Sequence, residues 1–389
     1  MPSLGLLNFT TSDVVIAWIF AFLALLSCLY WGLAWWRIAR WRPRLPEFAP
    51  GEPVTCAAGI SVLKPLHGVE PQLPENLRSF IAQHYSPFEL LCGVQDAQDP
   101  VLPLLEPLQG QNDLRIVRHT VQLGSNPKVN NLAGIYPHAR YPILVLADAD
   151  IRVGPDYLAQ LAQELDRPGV GLSSCLYRAR TLPGLWSQVL GVQIQEHFLP
   201  SVLAAAALGP NLYCGGATIA LRRDVFERCG GFAALADELA DDYAIGAHVR
   251  ALGYRSIVSD VLVETLVAED SFRSFYAHAL RWARTTRAVQ PWGHAFSFLT
   301  YPLPLVVIAA LCWQGWAFAA LVLVLALRLV YHWQIGRKLH SPLSALAVGL
   351  ADFLGLSIWA HAQIAGKVHW RGRNFSIDAH GQMHDGVER

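Results

Sequence analysis

Residues 145–153 read VLADADIRV: an apolar stretch ends in two aspartates separated by one alanine. A short apolar run reads as a buried strand, so Asp148 and Asp150 stand where its backbone pairing stops. Two carboxylates this close repel each other and are costly to desolvate. A divalent cation relieves both problems. Mg2+ and Mn2+ are hard ions that take oxygen ligands, and Mg2+ typically binds through one or two carboxylates plus substrate phosphates. The spacing therefore points to Asp148 and Asp150 as metal ligands and to a diphosphate-bearing substrate. Alone, the same motif also fits two solvated or helix-capping aspartates.

Other stretches carry compatible chemistry. In GSNPKVNNL (124–132), Lys128 opens a helical pattern, and a cation with exposed amides at a helix start suits phosphate oxygens. The alternative is an ordinary helix cap. In YCGGATIALRR (213–223), Gly215 and Gly216 let the backbone approach a ligand closely or make a tight turn. In DELADDY (237–243), Asp241 and Asp242 precede an amphipathic pattern, which makes one of them an N-cap candidate but does not need both. In HALRW (278–282), followed by Arg284 and Arg287, a basic helix could present Arg281 to a phosphate, lie at a membrane surface or simply be solvated.

The positioning elements read as α/β. GISVLKPL, FELLCGVQD, DLRIVRHT and YPILVLAD are strand-like, while PQLPENLRSFIAQH is helical with Leu77, Phe80 and Ile81 on one face. Strands separated by helices predict a mostly parallel sheet covered on both faces. Ligands of such sheets bind beyond the carboxyl ends of the strands. Asp96 ends the second run and Asp148 the fourth, so both are expected on one rim.

The chain has 389 residues, of which 53% are hydrophobic and only 15% charged. Soluble domains carry about a quarter charged residues, so part of this chain belongs in lipid. Lys+Arg and Asp+Glu both number 30, and this balance excludes a general nucleic-acid binder. The seven cysteines form no CxxC pair, which predicts reduced thiols and no zinc site.

Residues 14–36 form an uncharged apolar span followed by Arg37, Arg40, Arg42 and Arg44. The positive-inside rule makes this a membrane anchor whose arginines face the cytosol. Residues 46–291 have globular composition and are expected to form one cytosolic domain. Within them, HFLPSVLAAAALGP (197–210) is apolar enough for core or for a lipid groove. Residues 296–365 hold three further apolar segments: 296–313 and 315–333 as a tight hairpin, and 343–365, which contains Asp352 and His361 and is either spanning or re-entrant. A basic tail follows, 366–389.

Taken in order, Asp96 of VQD, Asp148 and Asp150 of DAD, Asp242 of ADDY and the xxRW of Arg281 and Trp282 resemble the spaced signature of the ceramide glucosyltransferases. LKPLHG (63–68), GxNPKVxNL (124–132) and WRGR (370–373) are also similar to that family, as they are to its bacterial hopanoid-associated branch. The resemblance runs from the N-terminal anchor to the WRGR tail, and its order and spacing are more specific than any single motif. These enzymes are membrane-anchored inverting members of glycosyltransferase family 21, with the GT-A fold. The resemblance implies a UDP-sugar donor, a lipid acceptor with a free hydroxyl (ceramide or a hopanoid polyol) and a bacterial inner-membrane location. By the same resemblance, Asp96 contacts the uracil or ribose, Asp148 and Asp150 hold Mg2+ or Mn2+ on the diphosphate, and Asp242 is the base. Arg281 and Trp282 stand near diphosphate and acceptor. His278 takes a position where Gln or Arg is usual, and the third acidic motif is Asp241-Asp242. A processive polysaccharide synthase shares the pattern but needs a longer helical channel. A silent membrane-bound nucleotide-sugar sensor is expected to have lost one of the carboxylates, and all are present.

Overall fold

A computed structural model describes residues 11–46, 54–208, 213–312, 316–364, 368–370, 373–377 and 382–385. The chain divides into two compact units. One comprises residues 42–182, 209–268 and 366–389, and the other 1–41, 183–208 and 269–365. The stretch 46–291 is thus not one block, because 183–208 and 269–291 group with the apolar helices.

The first unit is built on strands β1 (Val54–Leu66), β2 (Tyr85–Val94), β3 (Leu114–Arg118), β4 (Ile143–Ala147), β5 (Ile151–Arg152), β6 (Val170–Thr181), β7 (Thr218–Arg222) and β8 (Arg255–Val267). They form one sheet in the order β3-β2-β1-β4-β7-β6-β8-β5. β1 pairs in parallel with β2 and β4, β2 with β3, and β6 with β8. β7 runs antiparallel to β4 and β6, and β5 antiparallel to β8. The mostly parallel sheet expected from the sequence is therefore present, with β7 and β5 inserted against its direction.

Every residue of β4 is buried, as a strand covered on both faces requires. Its side chains alternate between two cores. Ile143, Val145 and Ala147 join Leu77, Phe80, Tyr157 and Leu161. Leu144 and Leu146 join Val129, Leu132, Phe226 and Val249. Helices Leu73–Ile81 and Tyr157–Leu165 thus cover one face, and Pro127–Ile135 and Asp241–Ala251 the other. The strand directions bring the carboxyl ends of β1, β2 and β4 and the amino end of β7 to one edge.

From the sequence, the tail 366–389 is expected only as a basic, cytosolic segment carrying WRGR. It forms a second, antiparallel sheet of β9 (Val368–Trp370), β10 (Arg373–Ile377) and β11 (Met383–Asp385). Residues 371 and 372 of WRGR lie outside the described residues.

In the helical unit, Val14–Arg40 and Phe318–Lys338 are long and apolar enough to cross a membrane. The expected segment 296–313 is broken: Pro291–Thr300 and Pro302–Cys312 meet at 61°. Pro302 disfavours helical backbone at Tyr301. The break frees carbonyls that have no water to turn to in lipid, and the anchor supplies donors. Ser27 Oγ donates to Leu299 O (2.6 Å) and Trp31 Nε1 to Thr300 O (3.1 Å). The turn expected between the two hairpin segments, 313–315, lies outside the described residues. The last segment is a 17-residue helix, Leu346–Ala362, shorter than the roughly 20 residues of a full span. The apolar stretch from 197 belongs to this unit, as the end of a π-helical turn and helix Leu199–Leu208.

Asp352 is fully buried here, and its charge is matched. Arg328 Nη2 lies 3.0 Å from Asp352 Oδ1, and Arg328 Nη1 bonds Glu196. His332 Nδ1 is 2.6 Å from Glu196 Oε1, His197 Nε2 is 3.0 Å from Asp352 Oδ1, and the Arg328 guanidinium stacks over Trp31. Breaking a buried ion network by removing one partner costs about 3–5 kcal/mol. Arg328→Leu is therefore expected to lower the thermal unfolding midpoint of the detergent-purified protein clearly. An unchanged midpoint would show that the network is not part of what holds these helices together.

Candidate functional site

The DAD turn is held from several sides. Leaving β4, Asp148 N donates to Ala217 O (3.1 Å), and the Asp148 carbonyl accepts from Lys64 Nζ (2.7 Å). Asn76 Nδ2 donates to Ala149 O (3.1 Å), and Leu266 N to Asp150 O (3.1 Å). Thr265 Oγ1 donates to Asp150 Oδ2. Burial and the Asp148 charge push the Asp150 carboxyl above its usual range, against Thr265 and Lys64.

Lys64, which the sequence reading covers only as part of LKPLHG, is a site residue in the structure. It is fully buried in β1 with its ammonium 3.9 Å from the Phe80 ring centroid. Burial pulls it down to about 8, against the pull of Cys92, Asp150 and Asp148. A lysine inside the apolar run SVLKPL was the available signal, since a buried cation needs a partner.

Asn126 caps helix Pro127–Ile135, its Oδ1 accepting from Lys128 N (2.9 Å) and Val129 N (3.1 Å). This fixes the start of the helix and aims Lys128. Lys128 Nζ lies 2.7 Å from Asp148 Oδ1 and 3.8 Å from Asp241 Oδ2, and donates to Gly216 O (3.4 Å). Burial alone would lower this ammonium's pKa; Asp148 and Asp241 outweigh it and hold it above the usual lysine range.

The N-cap expectation for the third acidic motif is corrected. Ala240 takes the cap position of helix Asp241–Ala251, and both aspartates lie in its first turn, where the helix dipole favours negative charge. Asp242 Oδ1 accepts from Tyr243 N (2.8 Å). Burial pushes the Asp242 carboxyl up to about 6, with the Asp241 charge adding and Lys128 opposing. Burial likewise raises Asp241, while Lys128 opposes.

Gly216 closes the group. A Cβ there would stand 3.0 Å from Asp242 Oδ2 and 3.3 Å from Lys128 Nζ, and one at Gly215 would collide with the Tyr213 ring. A methyl group at Gly216 fits only if Asp242 or Lys128 gives way by a few tenths of an ångström, and one at Gly215 only if the Tyr213 side chain moves. The structure thus brings Asp148, Asp241, Asp242, Lys128 and Gly216 together, with Asp150 two residues along the same turn.

Asp96 follows β2 on the same edge, since β1 pairs in parallel with both β2 and β4. It is exposed, and its Oδ1 accepts from Gln98 N (2.8 Å). The buried carboxylate nearby is Asp99, which accepts Gly68 N on both oxygens (3.0 Å) and shapes the LKPLHG loop. His278, Arg281 and Trp282 belong to the helical unit, on helix Phe272–Val289. His278 Nδ1 is 2.5 Å from Glu269 Oε1, and its ring meets Trp282 edge-on at 4.3 Å. The unusual residue at 278 therefore has its own carboxylate partner.

Among the described residues no group of three or more His, Cys, Asp and Glu is arranged to hold a metal. The two-carboxylate set of Asp148 and Asp150 fits a hard divalent ion that draws its other oxygens from a diphosphate and water. Asp148 meets Lys128 through Oδ1, and Asp150 meets Thr265 through Oδ2. The six cysteines that are described are all free thiols.

Comparison with known proteins decides the family. The model of glycosyl transferase family 21 matches residues 18–383. The chain belongs to that family. A Caenorhabditis elegans protein named ceramide glucosyltransferase 1 is 24% identical over 62% of this chain, and the match spans about half, 52%, of that relative's length. Ceramide glucosyltransferase 3 of the same organism is 22% identical over 84% of this chain and 74% of its own. Among solved structures, a Pyrobaculum calidifontis mannosyltransferase in complex with GDP-Man and Mn2+ is similar, with 20% identity, 86% of this chain and 99% of that chain covered, and a TM-score of 0.48.

The packing at Gly216 makes a direct expectation for this family 21 member. Gly216→Ala should leave the fold intact and cut sugar transfer by about tenfold or more, because small displacements of reacting groups are costly. Steady-state rates alongside the unfolding midpoint test this; wild-type rates would show that Asp242 and Lys128 tolerate the extra methyl.

Proposed function

We propose that the protein moves a sugar from a UDP-sugar to the hydroxyl of a membrane lipid, such as ceramide or a hopanoid polyol, with inversion at the anomeric carbon. The observation that carries this reading is the Lys128 ammonium standing between Asp148 and Asp241, with Asp242 beside them. The family and its ceramide glucosyltransferase relatives support the substrate classes.

The chemistry asks for two things. The UDP leaving group takes the electron pair of the broken C–O bond, and positive charge must meet its oxygens. Lys128 offers one such charge from this chain. Mg2+ or Mn2+ held by Asp148 and Asp150 would supply Lewis-acid neutralisation of the diphosphate. The acceptor hydroxyl forms the new bond at the anomeric carbon and must give up its proton. Asp242 takes it: a carboxylate whose proton affinity burial has raised is a better base than a solvated one. Asp241 stays paired to Lys128. Asp96 on the same edge serves the nucleoside, and the backbone at Gly215 and Gly216 gives the close wall. Attack is direct, so no enzyme nucleophile is required.

The apolar helices make this an integral membrane protein in the same reading. The sheet unit lies on the cytosolic side of a bacterial inner membrane, because Arg37, Arg40, Arg42 and Arg44 follow the first span. Cys92 and Cys175 are buried and cannot report sidedness. A cysteine placed at exposed Glu106 should react with an impermeant reagent only after cells are opened; labelling of intact cells would reverse the orientation.

The base assignment has its own signature. Asp242→Asn keeps the shape and removes the charge, so kcat should fall by about 10²–10⁴-fold while UDP affinity, measured by calorimetry with Mn2+ and again after chelation, changes little. Asp241→Asn should cost less. In the wild type only the ionised carboxylate accepts a proton, so kcat/KM should rise as pH increases through about 6. Retained kcat in Asp242→Asn with loss in Asp241→Asn would move the base to its neighbour. Loss of nucleotide binding in both would remove the third motif from proton transfer.

A further inference from the structure

The segment 236–240, which leads into Asp241 and Asp242, is gripped from two directions. On one side lies the loop that aims Lys128. Asn126 N donates to Ala236 O (2.9 Å), Asn126 Nδ2 to Glu238 O (2.8 Å) and Ser125 N to Asp237 Oδ1 (2.8 Å). On the other side lies the C-terminal sheet. Met383 N donates to Asp237 O (2.7 Å), and Glu238 forms an antiparallel bridge with Gln382. Leu239, Phe375 and Met383 make a small closed core, 7%, 0% and 1% exposed.

Three successive carbonyls, those of Ala236, Asp237 and Glu238, take their donors from outside the segment, as a stretch without regular pairing of its own must. The tail supplies the Asp237 donor and an apolar seat for Leu239, two residues before Asp241. The chain leaves the sheet unit for the last apolar helices and then returns after residue 365. A chain end that only needed to be solvated would have no reason to bury Phe375 and Met383.

We propose that the C-terminal sheet is a positioning element of the transfer site, with Phe375 and Met383 as positioning residues. Together with Ser125 and Asn126 they fix Asp241 and Asp242 relative to Lys128. The inference rests on the proposed reading of Asp242 as the base. Its consequence is kinetic: loosening the tail displaces the base but leaves the donor cradle of Asp148, Asp150 and Lys128 in place, so kcat falls before nucleotide affinity does.

The test uses the full-length protein in detergent. Met383→Ala and Phe375→Ala remove the seat, and Met383→Leu and Phe375→Leu largely retain it. Three quantities are measured: kcat at saturating donor and acceptor, UDP affinity with Mn2+ by calorimetry, and hydrogen exchange of the peptide spanning 236–243. The alanine variants should lose about 10–100-fold in kcat, the cost of misplacing a reacting group by about an ångström. They should keep UDP affinity within about threefold of wild type, a loss too small to be the lost step, and exchange faster over 236–243 but not over β4. The leucine variants should recover most of the rate. Unchanged exchange over 236–243, or unchanged kcat despite faster exchange, overturns the proposal. So does a parallel loss of kcat, UDP affinity and thermal stability. If the alanine variants do not fold, Met383→Val and Phe375→Val, which thin the seat without emptying it, decide: slower turnover with faster exchange over 236–243 supports positioning, and wild-type turnover overturns it. Absence of sugar transfer by the wild-type protein would instead count against the proposed activity, while the exchange measurement still reports whether the tail holds the acidic motif.

Discussion

One ammonium group governs the sheet unit's functional edge. Asp148 and Asp241 come from distant parts of the sequence and repel each other, and Asp150 and Asp242 add two more carboxylates close by. Lys128 reaches both and lies 2.7 Å from Asp148. Much of the surrounding structure fixes where that ammonium stands. Asn126 caps its helix and ties that helix to the segment before Asp241. Gly216 leaves room for it with no space to spare. Lys64 holds the backbone of Asp148 from the interior. A concentration of negative charge can persist without collapse or protonation only when cations are placed this closely.

The same edge explains why the sheet is built as it is. Parallel β1, β2 and β4 deliver three loops to one side, and antiparallel β7 delivers Tyr213–Gly216 to that side from the opposite chain direction. β8 then supplies Thr265 to Asp150 while pairing with the two-residue β5 that follows the DAD turn. In the helical unit the recurring problem is different. Broken or charged helix segments must satisfy themselves without water, which Ser27 and Trp31 do for the turn at Leu299 and Thr300, and which Arg328 does for Glu196 and Asp352.

The sequence made the strands, the helix faces and the shared rim of Asp96 and Asp148 legible because burial on two faces leaves continuous apolar runs. It also showed Asp148, Lys128, Gly216 and Asp242 as separate candidates. What it hid was anything decided by contacts across the chain. Lys64 looked like part of a strand. Asp241 and Asp242 looked like cap candidates, whereas Ala240 takes that place. The run 197–208, which reads equally as core or as a lipid groove at the membrane interface, packs with the anchor, through Tyr30 to Ser201 (2.8 Å) and Arg37 to Leu203 O (3.0 Å). The tail carries no strong periodicity in its three short strands, so its sheet becomes visible only from the pairing of those strands with one another.

The central claim is direct, single-step transfer, with the leaving diphosphate met by fixed positive charge and the acceptor proton taken by a buried carboxylate. The most direct measurement is the anomeric configuration of the glycolipid made by the purified protein from an α-linked UDP-sugar, read from the proton coupling of the anomeric position by NMR. A β-linked product is the result this account requires. An α-linked product would demand a second displacement and an enzyme nucleophile, and would contradict it.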